Sequence, residues 1–516
     1  MTIKSRIRDI ISKTIGEQVD FTVESPENEN FGDYATNVAL VLAKKLKKNP
    51  MEIAESIKSK INNDFFRKIE IVPPGFINFF LSQKFLQEQI ETILKKENEF
   101  GKLDIGKNKK VQVEFISSNP TGPLTVANAR GGPMGDVLAN IFNFAGYKAE
   151  KEFCVNNSGM QILALGHSIL KDNEVQYKGD YINKLSKKIK EKDPYKAGEK
   201  AAKIIVDKMI KRTTDKLGIK YDKWFFESDL HKTGKIDKII KLLKDKRLLY
   251  EKENAIWFKS SEFGDTRDRV LIKKDGEKTY LANDIAYHYN KFQERKFDKV
   301  INIWGADHHG NVPGLMAGVE AIGHKGKLDV ILCQFLTILE KGKKIKMSKR
   351  QGNFVAMDEL LKMVGRDVVR FFFLMYSANR HMDFSLDLAK EKSEKNPVYY
   401  VQYAYARINS ILKKAKSSKI KDINLSLLSH PTELDLIKEL VKFPEIIEDT
   451  AMDYQVQRLP HYTLNLSAYF HKFYTECKVL GGNKELEKSR LALAVATKIV
   501  LENALDLMGI SKPKKM

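Results

Sequence analysis

The residues best suited to chemistry in this sequence lie on two loops. Lys346 and Lys349 stand three apart in Lys346-Met347-Ser348-Lys349, followed by Arg350-Gln-Gly-Asn353. Two ammonium groups on a glycine-flanked loop suit a polyphosphate, whose charge they neutralise as it builds in a transition state. The second loop, Ser117-Ser118-Asn119-Pro120-Thr-Gly122-Pro123, precedes a helix expected to begin near Val126. A helix start offers unpaired N–H groups and the positive end of a dipole, which also favours a phosphate. This loop is neither a GxGxxG fingerprint nor a P-loop, so the common nucleotide templates do not apply. His308-His309 invites a metal reading. Adjacent side chains project differently and no third ligand stands at suitable spacing, so no metal site is expected there. Asp307 and His308 instead follow a strand end, where open α/β sheets place ligand contacts.

The elements that must carry these loops can be read from periodicity. Val111, Val113 and Phe115 alternate with Gln112 and Glu114, a strand pattern that leads through the Pro/Gly loop into a helix rich in small residues. Strand, turn and helix in that order open a parallel α/β unit. A second unit begins with Lys299-Val-Ile-Asn-Ile-Trp304 and turns through Gly305-Ala-Asp-His-His-Gly310. Between them, about 165–265 is Lys-rich and reads as a largely helical insertion. Upstream, Ile3, Ile7, Ile10, Ile11 and Ile15 form a helical stripe stopped by Gly16. Val72-Pro-Pro-Gly-Phe-Ile-Asn-Phe-Phe80 reads as a turn and a strand. After about 390 the pattern is almost purely helical.

With 516 residues, several cores and a cleft between them are expected. Lys and Arg number 89 against 67 Asp and Glu, a net charge of +22. That surplus fits a polyanionic partner, nucleic acid first, or a Lys-rich solvated surface; charge alone does not separate the two. Three distant cysteines form no CxxC pair, which excludes a disulfide framework or zinc ribbon. No apolar run approaches the ~20 residues of a membrane span, and the charged start lacks a signal-peptide core. A cytoplasmic protein with no membrane partner is expected.

Taken together and in order, the motifs resemble the class I arginyl-tRNA synthetases. Glu114-Phe-Ile-Ser-Ser-Asn-Pro-Thr-Gly-Pro-Leu124 is similar to the segment entering that family's HIGH signature, and Lys346–Lys349 to its KMSK loop. Phe31-Gly-Asp-Tyr34 and Pro74-Gly-Phe-Ile-Asn-Phe79 resemble its N-terminal domain. Asp265–Val270 and Tyr280–His288 resemble its second catalytic half, and Asn396–Arg407 the start of its anticodon-binding helices. The resemblance implies a multidomain α/β protein with a Rossmann-like parallel-sheet catalytic core, an N-terminal α+β domain and a C-terminal all-α bundle. The expected division is 1–100, 105–365 with the insertion, a connector at 366–395, and 396–516.

The implied activity is ATP-dependent activation of L-arginine and its transfer to the 3′ end of tRNA(Arg). ATP would enter as its Mg2+ complex, with no tightly bound cofactor, on a monomeric enzyme. By motif, Glu114, Ser118, Asn119, Tyr280, Asp284, Asp307 and His308 would bind arginine. Pro120, Gly122, Pro123, Ala127, Met347 and Ser348 would line ATP, and Thr125, Asn128, Lys346 and Lys349 would act on its phosphates. Phe76 and Asn78 would stack on and hydrogen-bond a flipped-out tRNA base. Tyr399, Tyr403 and Arg407 would meet the anticodon.

The sequence departs from the family at the signature itself. HIGH is replaced by Thr125-Val126-Ala127-Asn128, so two imidazoles give way to neutral donors and Ala127 adds a methyl near the adenine. Asn156-Asn157 stands where the family more often has Asn-Asp. Two readings follow: an active enzyme with a drifted signature, or an impaired paralogue kept for tRNA binding or regulation. On the first, Thr125→His should leave activity unchanged or raise it.

Overall fold

The computed structural model of the chain describes residues 2–26, 28–345, 356–415 and 423–516. The isoleucine stripe forms α1 (Ile3–Ile15), which buries Ile3, Ile7 and Ile11. It stops at Gly16, whose φ of 70° lies in the left-handed region that glycine enters without a Cβ clash. Next come β1 (Val23–Glu24), β2 (Tyr34–Thr36), α2 (Val38–Leu46), α3 (Pro50–Lys60), β3 (Phe66–Val72) and β4 (Phe76–Leu81). The strands pair antiparallel in the order β1-β2-β4-β3. Ser82 then caps α4 (Gln83–Lys96), accepting the N–H of Phe85.

The first α/β unit runs β5 (Lys110–Phe115), α5 (Val126–Ala129), α6 (Gly131–Phe144) and β6 (Lys148–Val155). The small residues of α6 let it lie close on the sheet: a Cβ at Gly135 would fall 2.2 Å from the Phe115 ring. The insertion holds α7 (Met160–Leu170), α8 (Asp180–Lys188), α9 (Pro194–Ile205), a π-helical turn over Val206–Ile210 and α10 (Lys211–Lys216). It is not largely helical throughout. The short run Lys-Trp-Phe-Phe forms β7 (Lys223–Phe226), which extends the central sheet beside β6. After α11 (Ser228–Lys232) and α12 (Lys235–Asp245), β8 (Leu249–Lys252), β9 (Ala255–Phe258) and β10 (Arg269–Ile272) form a separate antiparallel sheet.

Helix α13 (Tyr280–Tyr289) continues into a π-helical turn over Asn290–Glu294. The second unit follows as β11 (Lys299–Gly305), a 3-10 turn over Ala306–Asn311, α14 (Val312–Ala321) and β12 (Leu328–Cys333). Among the described residues the central sheet has the order β12-β11-β5-β6-β7, parallel throughout. β5 is its middle strand and is covered on both faces. The alternation of Gln112 and Glu114 therefore marks a polar layer inside the protein, not a solvent face.

β13 (Leu336–Glu340) and β14 (Lys343–Lys344) form a hairpin, followed by α15 (Met357–Val364), α16 (Arg366–Leu374), β15 (Met382–Ser385) and α17 (Leu386–Lys390). The rest is helical: α18 (Pro397–Lys414), α19 (Pro431–Val441), α20 (Phe443–Asp453), α21 (Arg458–Glu476) and α22 (Lys484–Met508). These helices pack on the α/β core, where Phe443 of α20 stands against Phe144 and Phe100. Among the described residues no helix is long and apolar enough to cross a membrane.

Candidate active site

The C-terminal ends of β5, β6, β7 and β11 open on one edge of the parallel sheet, where α/β folds gather ligand contacts. At the end of β5 the chain turns sharply through Ile116 (φ 68°) and Ser117 (φ 38°), both left-handed. A β-branched residue there is strained, and such strain concentrates where a loop must be aimed. The turn sets Ser117 Oγ to accept the Cys154 N–H at 3.0 Å, tying the loop to β6. Ser118 is buried, and Asn119 Oδ1 accepts from Asn156 Nδ2 at 3.1 Å. The residue of the Asn156-Asn157 pair that departs from the family is Asn157, which donates to Ser228 Oγ at 3.0 Å and accepts the Ser228 N–H at 3.1 Å. From the insertion, Tyr181 of α8 donates to Thr121 O at 2.9 Å. It covers Gly122, where a Cβ would come within 3.0 Å of the phenol oxygen. Pro120 and Gly122 are buried and Pro123 half-buried.

The loop ends as expected, with α5 starting at Val126. Thr125 is its N-cap: Oγ1 accepts the Asn128 N–H at 3.1 Å and donates to Asn128 Oδ1 at 2.6 Å. The two residues that replace the histidines are thus bonded to each other. Asn128 Nδ2 is the donor left to a ligand, and Ala127 and Asn128 are exposed. The signature segment is anchored to the residues just after 346–355. Leu124 O accepts the Met357 N–H at 2.9 Å, and Thr125 pairs with Ala356. Arg130, which sequence reasoning passed over, donates to the carbonyls of Gln334, Phe335, Ser377 and Arg380. Lys346, Met347, Ser348 and Lys349 lie outside the described residues.

Opposite the loop, carboxylates from three elements converge. Glu114 of β5 is buried and its Oε2 accepts from Lys291 Nζ at 2.5 Å. Glu227, the residue after β7, is buried and accepts from Ser158 Oγ at 2.7 Å and Asn283 Nδ2 at 2.9 Å. Asp284, next to Asn283 on α13, is half-buried. Its carboxyl is pushed up to about 8, first by desolvation, then by the charges of Glu227 and Glu114, with Lys291 opposing. Asn283 Oδ1 is buried and has no donor among the described residues. The three carboxylates thus surround a region with one fully buried cation, Lys291. Sequence reasoning missed Glu227 because it took the strand before it for helix. It missed Lys291 because one lysine among many carries no mark.

The other expected arginine ligands stand further out. Tyr280 opens α13, four residues before Asp284, and is 64% exposed. Asp307 and His308 sit on the exposed 3-10 turn after β11, with His308 near the Trp304 ring at 5.9 Å. Among the described residues no group of three or more His, Cys, Asp or Glu is placed to hold a metal ion.

On the RNA side, Phe76 is exposed at the start of β4, but Asn78 is only 2% exposed. Asn78 lies mid-strand, registered between Ala35 and Glu70. The expected pair of base-reading side chains is therefore reduced to Phe76 in this conformation. In the C-terminal helices, Tyr399 stacks on Tyr403 at 6.5 Å. Arg407 donates to Tyr403 Oη at 2.6 Å and lies over the rings of Tyr403 and Tyr474, at 4.8 and 5.0 Å. Tyr403, Arg407 and Tyr474 line an open groove of about 890 Å³ with Lys414, Lys478 and Lys515. Burial, and Arg407 nearby, push His471 beneath them down to about 4. Tyr405 is core, donating to Glu502 at 2.6 Å.

Comparison with known proteins agrees along the whole chain. Residues 1–81 match the family described as "Arginyl tRNA synthetase N terminal domain", 167–370 "tRNA synthetases class I (R), catalytic domain" and 401–516 "DALR anticodon binding domain". The chain is 42% identical to the arginine–tRNA ligase of Caldanaerobacter subterraneus subsp. tengcongensis, covering 99% of both proteins. It is 41% identical to that of Carboxydothermus hydrogenoformans, over 97% of this chain and 95% of the relative. The solved Thermus thermophilus arginyl-tRNA synthetase shares the fold with a TM-score of 0.81, 22% identity and full coverage of both chains. An N-terminal sheet domain, a parallel sheet with a cluster of carboxylates at the C-terminal ends of its strands and a helical bundle are all present, and the chain belongs to the class I arginyl-tRNA synthetase family.

Proposed function

We propose that this chain ligates arginine to tRNA at the edge of its parallel sheet, with the acidic pocket selecting the amino acid. It is an arginine–tRNA ligase of class I. The observation that carries the site assignment is the convergence of Glu114, Glu227 and Asp284 against a single buried cation. A planar guanidinium takes in-plane carboxylate acceptors, which Asp284 and Glu227 supply, while Asn119 and the free oxygen of Glu114 face the amino acid's main-chain groups. Tyr280, at the mouth of the pocket, closes over the guanidinium.

ATP, as its Mg2+ complex, lies along the loop from Pro120 to Pro123 with its phosphates at the start of α5. Asn128 donates to them, Thr125 holds Asn128 in place, and Lys346 and Lys349 supply the cations. The arginine carboxylate attacks the α-phosphorus in line and pyrophosphate leaves. A hydroxyl of the tRNA's terminal adenosine then attacks the adenylate carbonyl and AMP leaves. Both steps are helped by positioning and by charge stabilisation. The Tyr403–Arg407–Tyr474 groove suits stacked anticodon bases among basic side chains. The enzyme works as a monomer.

The test is tRNA charging with arginine in parallel with citrulline, which keeps the shape and lacks the charge. Asp284→Asn and Glu227→Gln should each lose most arginine charging and retain tRNA binding. Unchanged charging by both variants would show that the pocket does not select the amino acid.

A further inference from the structure

Lys291 is fully buried, an expensive place for an ammonium, and no step of the proposed reaction uses it. It lies on the π-helical turn Asn290–Glu294. Such turns recur at functional sites because they push a side chain out of helical register. Nζ donates to Glu114 Oε2 at 2.5 Å and to Asn302 Oδ1 at 3.2 Å, and sits 4.1 Å from the centre of the Tyr287 ring. Asn302, on β11, donates through Nδ2 to His288 Nε2 at 2.9 Å. His288 is neutral, since burial and Lys291 hold it well below the ordinary histidine range. With Nε2 accepting, its proton sits on Nδ1 and goes to the backbone carbonyl of Asp284 at 2.7 Å. The donors all run one way, from Lys291 to Asn302 to His288 to Asp284, with Glu114 bound directly to Lys291.

We infer that Lys291 is a positioning residue for arginine recognition: its buried ammonium holds Glu114 and, through Asn302 and His288, locks the turn of α13 that carries Asp284. This rests on the reading of Glu114 and Asp284 as arginine ligands. The chain of bonds couples the β5 and α13 sides of the pocket across β11, so that the carboxylates stand at a set separation before arginine arrives. The same cation offsets part of the negative charge around Asp284. The charged and titratable groups facing that region are Glu114 on β5, Glu152 and Cys154 on β6, Glu227 after β7, His231 on α11, and Tyr287, His288, Lys291 and Arg295 on α13 and its extension, with Arg295 paired to Glu152. Without Lys291, the pocket keeps its carboxylates and loses the one nearby charge that favours the ionised form of Asp284.

The experiment measures arginine affinity against pH for the full chain with tRNA present, in the parent, Lys291→Met, Glu114→Gln, Asp284→Asn and Glu114→Gln/Lys291→Met. Lys291→Met should weaken arginine binding roughly 10- to 100-fold, as loss of an outer partner of a liganding group does, and leave tRNA affinity unchanged. The pH at which affinity levels off should also move upward. Removing one partner of a buried pair can unfold a protein where removing both does not, so the double variant keeps the test open. Compared with Glu114→Gln alone, it differs only in Lys291 and should level off at higher pH. Equal affinity and equal pH profiles in either comparison would overturn the inference. If Glu114→Gln and Asp284→Asn themselves leave arginine affinity untouched, the arginine-site reading fails instead.

Discussion

Asp284 makes the proposed arginine site proton-linked. Desolvation, then the charges of Glu227 and Glu114, push its carboxyl up to about 8, so near pH 7 it is mostly protonated. A guanidinium prefers the ionised form, so binding below pH 8 must expel that proton. Arginine affinity should therefore rise with pH, by at most about tenfold per unit, and flatten above about 8. Titration calorimetry in buffers of different ionisation enthalpy should detect the released proton, and Asp284→Asn should bind weakly with no such slope. A flat profile in the parent protein would contradict the assignment. Thr125 makes a different kind of prediction. Its hydroxyl both caps α5 and orients Asn128, so Thr125→Val should cost about 1 kcal/mol of cap energy and lower kcat, while Thr125→Ser keeps both. Thr125→His can still preserve activity, because an imidazole can cap: His430 Nδ1 accepts the Thr432 N–H at 3.3 Å. Residues with a motif around them, such as Asn119 and Asp284, are legible in the sequence itself. Glu227 and Lys291 are not, because their meaning comes only from what the fold sets beside them.

Periodicity identifies the elements with long patterns and misjudges the short ones. The isoleucine stripe of α1 and the strand–loop–helix at β5–α5 form where expected. The four-residue β7 does not register, since a strand that short has almost no period and gains its identity by pairing with β6. Helical glycines in the insertion carry a signal that periodicity ignores. α7 and α9 cross with their backbones nearly touching: a Cβ at Gly166 would fall 1.6 Å from Pro194 O, and one at Gly198 would fall 1.9 Å from Ile162 O. Neither obstacle is a flexible side chain. Gly166→Ala or Gly198→Ala should therefore force the helices apart and destabilise the insertion by about 2–3 kcal/mol, seen as a lower melting temperature. The Lys-rich surface of the same segment should tolerate single lysine-to-serine changes with little effect on stability.

At the scale of the molecule, one buried guanidinium joins parts that are far apart in sequence. Arg370 of α16 donates to Asp136 of α6 at 2.6 Å, to Met508 O at the end of α22 at 2.7 Å and to Leu217 O at the end of α10 at 3.0 Å. Lys151 of β6 donates to the other oxygen of Asp136 at 2.6 Å. Catalytic core, insertion and C-terminal bundle thus share one charge cluster. Arg370→Met leaves Asp136 with only Lys151, and should cost about 3–5 kcal/mol of stability, read by denaturant unfolding. A change below about 1 kcal/mol would show that the cluster does not hold the parts together. The +22 charge is ambiguous in the sequence; the structure sets Lys414, Lys478 and Lys515 around the aromatic groove proposed for the anticodon. A working ligase with the altered signature must still activate arginine. Arginine-dependent ATP–pyrophosphate exchange tests it most directly, run with and without tRNA on the parent chain and Asp284→Asn. Exchange is expected in the parent with tRNA and is lost in the variant; no exchange in the parent under either condition, with tRNA still bound, would show that the altered signature does not support activation.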